Sequence, residues 1–155
     1  MKTEDEALVL KPWQQAVFDE IVRERGEAYE TPRRLQSPGL FNREFGIRVN
    51  MGRRMGHTTL ALEVLRRCEK AIFVVPFREQ IKNFPVEAQV FSRIFCPPAT
   101  FEEASEESAD QWLKDEPLLR GGLETILIVD NASYVHPYFS NVLRAAPWFR
   151  YVDLG

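Results

Sequence analysis

The residues from Val49 to Thr59, Val-Asn-Met-Gly-Arg-Arg-Met-Gly-His-Thr-Thr, are the part of the chain best suited to hold an anion. A β-prone run, Phe45–Asn50, leads into a turn with glycines at 52 and 56, and a helix then opens on threonine. A strand, a glycine turn and a helix in that order point backbone N–H groups at one place, where the helix dipole also favours negative charge. The spacing approximates the phosphate-loop pattern of Gly, four residues, then Gly-Lys-[Ser/Thr]. Gly56 and Thr58 fit it. The first Gly position falls on Met51, with Gly52 one residue late, and the lysine position holds His57. The candidate phosphate-binding residues are therefore Gly52, Arg53, Arg54, Gly56, His57, Thr58 and Thr59. An ordinary strand-to-helix turn shares this outline, so other residues have to support it.

Ile126–Asp130, four apolar residues and then an aspartate, is the form of the strand whose carboxylate holds Mg2+ through water in phosphate-loop enzymes. Asp130 and the Thr58 hydroxyl are the candidate metal residues, with ATP and Mg2+ as the expected ligands. Asn131 follows at the position where a water-activating glutamate would be useful. An amide can hydrogen-bond a water but cannot accept its proton. His57 is shorter than lysine and, with an ordinary pKa of roughly 6.5, is only partly charged at neutral pH. The remaining chemistry-bearing residues form no further centre. His57, His136, Cys68 and Cys96 lack the spacing of a zinc site, so none is expected.

These residues need a sheet to position them. Ala71–Val75 (AIFVV) and Thr125–Val129 (TILIV) are continuous apolar runs without alternation, as in strands buried on both faces. Helices are expected from Pro12 to about Gly26, from 57 to 69, over 139–146, and over 78–90 with a break at Pro85. A short amphipathic helix is expected around Trp112, and Phe149–Leu154 reads as a last strand. Pro32, Pro38, Gly39 and Gly46 mark 27–46 as loop. Strands alternating with helices predict an α/β fold, a mostly parallel sheet covered on both faces.

Composition narrows the class. The 155 residues are 45% hydrophobic, which excludes a wholly disordered chain and suits one domain. Two cysteines cannot make a disulfide framework. No stretch approaches the roughly 18 apolar residues of a membrane span, and MKTEDEALVL is acidic where a signal peptide is basic. A cytoplasmic protein with no membrane partner is expected. The net charge of -3 divides unevenly: -4 over residues 1–30, +7 over 31–82, -6 over 83–129 and zero over 130–155. The basic segment contains the glycine turn, as an anion site would require, although solvated faces also give such a split.

Taken in order, LKPWQQAV (10–17), GRRMGHTT (52–59), IFVVPFREQ (72–80), ILIVDN (126–131) and FRYVDLG (149–155) resemble the first RecA-like motor domain of superfamily 2 helicases and phage terminase large subunits. The resemblance spans roughly residues 8–155, with 1–9 as an acidic lead-in and 27–46 as a loop-rich insertion. It implies a three-layer phosphate-loop domain. Trp13 and Gln14 fall on the adenine-recognition motif, with Gln14 as the reader of the base. Arg78, Gln80 and Lys82 fall on or beside the motif that contacts nucleic-acid backbone, DNA or RNA. Arg53, four residues before His57, takes the place of an arginine finger supplied in cis. Asp130 and Asn131 take the catalytic acidic pair, with Asn131 replacing its glutamate.

Two replacements on the chemistry, His57 and Asn131, lead to a nucleotide-binding module that hydrolyses weakly or not at all. Such a module would serve a larger motor or packaging protein, plausibly of a phage, in the host cytoplasm. Two other readings are an active ATPase in which Arg53 and His57 replace the lysine, and an interaction module that kept the fold and lost the ligand.

Overall fold

The computed structural model describes residues 9–24, 27–52, 56–82, 84–100 and 102–155. Five strands, β1 (Ile47–Val49), β2 (Ala71–Val74), β3 (Ile94–Phe95), β4 (Gly122–Asp130) and β5 (Trp148–Leu154), form one sheet in the order β1-β5-β4-β2-β3. Every pairing is parallel, so the expected α/β class and parallel sheet are both present.

The apolar runs explain why. Successive strand side chains point to opposite faces. Ala71, Phe73, Ile126 and Ile128 enter one core, and Ile72, Val74, Leu127 and Val129 enter the other. The first core is closed by α1 (Pro12–Val22) and α4 (His57–Arg67), through Ile21, Leu60, Val64 and Leu65. The second is closed by α7 (Glu106–Asp115) and α8 (Pro137–Arg144), through Trp112, Phe139 and Leu143. Trp112 packs edge-on against Phe139, with ring centroids 5.4 Å apart.

The segment 27–46 departs from expectation. It holds two helices, α2 (Glu27–Gln36) and α3 (Pro38–Phe45), instead of a loop. Pro38 occupies the first turn of α3, where its fixed φ favours a helix start and its missing N–H costs nothing. Distant contacts do the rest. The Asn42 side-chain amide donates to the carbonyls of Arg144 (2.7 Å) and Ala146 (2.8 Å), and the Arg34 guanidinium lies over the rings of Phe41 and Phe149. The helical run expected over 78–90 is divided into α5 (Arg78–Ile81) and α6 (Ala88–Phe91). β3 is two residues long and had no sequence signal. Among the described residues no helix is long and apolar enough to cross a membrane.

Candidate functional site

Strand register brings the phosphate-loop residues and Asp130 to one edge of the sheet. β5 lies between β1 and β4, and Leu154 pairs with Val49 on one side and Asp130 on the other. The three carboxyl ends are tied together: the Gly155 N–H donates to the Val49 carbonyl (2.7 Å) and the Asn131 N–H to the Leu154 carbonyl (2.8 Å). Open α/β sheets bind ligands beyond the carboxyl ends of their strands. Here that region is a cleft of about 730 Å³, lined by Gly52, Gly56, His57, Thr58 and Thr59 on one side and Asp130 and Asn131 on the other. Arg53 and Arg54 lie outside the described residues.

Gly56 caps α4 with φ +95°, a left-handed conformation that side chains disfavour. A Cβ there would also lie 2.5 Å from the Gln14 side-chain nitrogen. Gly52 has φ +88° and faces open space, with the Asn50 carboxamide accepting its N–H at 3.1 Å. This Asx turn fixes the start of the loop.

His57 is turned back into the loop. Its Nε2 accepts the Met51 N–H at 3.1 Å, and its ring meets Trp13 edge-on at 5.5 Å. Only an unprotonated Nε2 can accept that bond, and burial lowers the imidazole pKa below its ordinary value of 6.5. The residue in the lysine position is thus held neutral and spends its acceptor on a loop amide.

Asp130 is nearly fully buried at the end of β4. Burial pushes its pKa up to about 6, partly offset by the Asn131 backbone N–H and the Thr58 hydroxyl. Its Oδ2 has no hydrogen-bond partner among the described residues. A buried carboxylate oxygen left unpartnered beside a threonine hydroxyl suits a cation. No cluster of three His, Cys, Asp or Glu that could hold a metal occurs among the described residues. Thr58 and Asp130 therefore fit Mg2+ that arrives with phosphates and keeps several waters, and do not form an all-protein cage. Asn131 adopts φ +46°, the left-handed region in which asparagine is better tolerated than glutamate. That turn ends β4.

The other candidates fall elsewhere. Gln14 is buried, and neither it nor Trp13 lines the cleft. The Gln14 Oε1 accepts the Lys11 N–H (2.7 Å) and its Nε2 donates to the Gly56 carbonyl (2.9 Å), so its amide joins α1 to the loop. Arg78 and Lys82 are exposed at the two ends of α5, while Gln80 accepts the Phe77 N–H at 3.3 Å and caps that helix. Asn50, Ser133 and Gly155, which the sequence did not mark as candidates, complete the cleft wall together with Tyr134, one of the aromatic residues close after Asp130 that could line a site mouth. Asn50-x-Gly52 was a legible Asx-turn signal; the others reach the cleft only through the sheet register.

No protein-family model matches the sequence, and no curated protein or solved structure matches it either.

Proposed function

We propose that the cleft between the carboxyl ends of β1 and β4 binds the phosphates of a nucleotide with Mg2+, and that the protein is a RecA-like phosphate-loop module with little or no hydrolytic activity. The observation that carries this reading is the meeting of Thr58 with the buried, half-unpartnered carboxylate of Asp130, directly across from a glycine turn. A bound Mg2+ supplies charge neutralisation on phosphate oxygens. Thr58 and Asp130 would hold it; the amides around Gly52 and Gly56 would face the phosphates.

The same residues account for weak turnover. A phosphate has to compete with His57 for the Met51 N–H, and a neutral imidazole offers it no fixed charge. Asn131 can orient a water but cannot take its proton. Gln14 enters as the support of the loop, since both ends of its amide are engaged within the protein. Binding is then driven by the phosphates, with Arg78 and Lys82 left as contacts for the backbone of a nucleic acid and a larger motor protein as the assembly served.

Calorimetric titration with ATP and Mg2+ tests the reading against Gly56→Val, in which both the left-handed backbone and the space beside Gln14 are lost. The expected result is saturable binding by the parent protein, at least about tenfold weaker in the variant, and phosphate release at background. Absence of binding in the parent, or equal binding in both, overturns the proposal.

A further inference from the structure

A second cavity, of about 620 Å³, lies at the β1 edge of the sheet between α3 and α8, away from the glycine turn. Three arginines line it: Arg43 from α3, Arg48 from β1 and Arg144 from the last turn of α8, with the Asn141 amide beside them. Each comes from a different element. Ile47 and Val49 pack into the first core, so alternation along β1 turns Arg48 to the opposite face, toward α3 and α8.

Among the described residues no acidic side chain lines this cavity. Asp153 lies in an adjoining hollow that also contains Arg48. It meets the Arg48 Nε at 3.8 Å and interacts with Arg144, whose guanidinium also lies over the Tyr151 ring at 5.7 Å. Arg43 has no partner among the described residues. Among the described residues, one acid for three guanidinium groups leaves an excess of two positive charges around a concave space. Other basic residues of the same stretch also meet acids: Arg33 meets Glu44, Arg66 and Arg67 share Glu63, and Lys70 meets Glu124. The backbone of α3 adds to the contrast, since Ser37 at its N-cap makes no side-chain bond to the first-turn amides, and Gly39 and Leu40 of that turn line the cavity.

We propose that the cavity formed by Arg43, Arg48 and Arg144 is a second anion site, separate from the phosphate-loop cleft, that binds phosphate groups. Guanidinium forks match phosphate oxygens in pairs and stay charged at every physiological pH. Asn141 contributes a neutral donor. The phosphate comes from either a free small anion or a nucleic-acid strand, and the chemistry of recognition is shared.

The test uses the full chain at low ionic strength, with inorganic pyrophosphate in calorimetry and a fluorescein-labelled single-stranded oligonucleotide in anisotropy. At least one probe is expected to bind, and to bind about tenfold or more weakly in Arg43→Glu. Arg43 is exposed and unpaired, so melting of that variant should match the parent, and Arg43→Gln gives a smaller loss in the same direction. Gly56→Val retains this binding, which separates it from the phosphate-loop cleft. Pyrophosphate binding alone identifies a small anion; oligonucleotide binding that falls steeply with salt identifies a strand. Both support the site. Binding of both probes that is unchanged in Arg43→Glu, or no binding of either, overturns it.

Discussion

Asp130 is buried at a cost to the fold. Its carboxyl has a pKa of about 6 in the structure against an ordinary 3.8, because burial disfavours the ion. Keeping it ionised above pH 6 therefore costs about 3 kcal/mol, at 1.36 kcal/mol per pH unit. The sign follows from linkage: the folded chain takes up this proton before the unfolded one, so stability is recovered as pH falls through 6 and fully so below 3.8. Asp130→Asn should raise the melting temperature at pH 8 by about 4 °C, corresponding to about 1–2 kcal/mol, since the new amide brings an unpartnered N–H of its own. The gain should shrink toward pH 4 while Mg2+-dependent nucleotide binding is lost. Scanning calorimetry at pH 8 and pH 4 checks both halves; a variant no more stable at pH 8 refutes the assignment. His57 has the opposite relation to ligand. Its neutral ring holds the Met51 N–H, whereas a phosphate favours the imidazolium. ATP affinity should rise as pH falls from 8 to 7, a range above the Asp130 pKa of about 6, by at most about tenfold for one linked proton. In His57→Lys affinity should be higher and flat over that range. Titrations at the two pH values decide it, and a pH-independent parent protein would count against the role given to His57.

At the level of elements, the loop is held from outside as much as by its own glycines. Gln14 on α1 reaches across to the Gly56 carbonyl at the start of α4, and its other end accepts the Lys11 N–H. Residues far apart in sequence thus fix the N-terminus on which a phosphate would sit. Gln14→Ala leaves the Lys11 N–H without its acceptor and opens space beside Gly56. A loss of about 1–2 kcal/mol is expected, with a fall of about 4 °C in thermal melting. An unchanged melting temperature would mean that α1 does not brace the loop. Asn131 illustrates the same dependence. Its φ of +46° falls where β4 ends, so the residue that looks like a lost base is also one suited to the backbone it occupies.

Across the whole molecule, charge and core follow different rules of legibility. The +7 stretch suggested one anion site at the glycine turn. In three dimensions Lys70 of that stretch pairs with Glu124 and Arg48 with Asp153, both beyond it, while Arg43 and Arg48 meet Arg144 around a cavity apart from the turn. Sequence could not show this because Arg144 joins the group only through the packing of α8 against α3. The buried strands were legible for a local reason: β2 and the end of β4 are covered on both faces, so their apolar character is continuous along the chain. α4 was legible from its glycine start and its apolar stripe. α3 was not, since Pro38 and Gly39 read as breakers, and the bonds that stabilise the helix come from Asn42 to carbonyls more than a hundred residues away. By itself, then, the sequence determined the α/β class, the main buried strands and the residue types able to meet a phosphate. The tertiary structure decided that Asp130 faces Thr58, that His57 folds inward and that three arginines share one cavity. Those outcomes depend on strand register and helix packing, which join residues distant in the chain and leave no periodic trace within it.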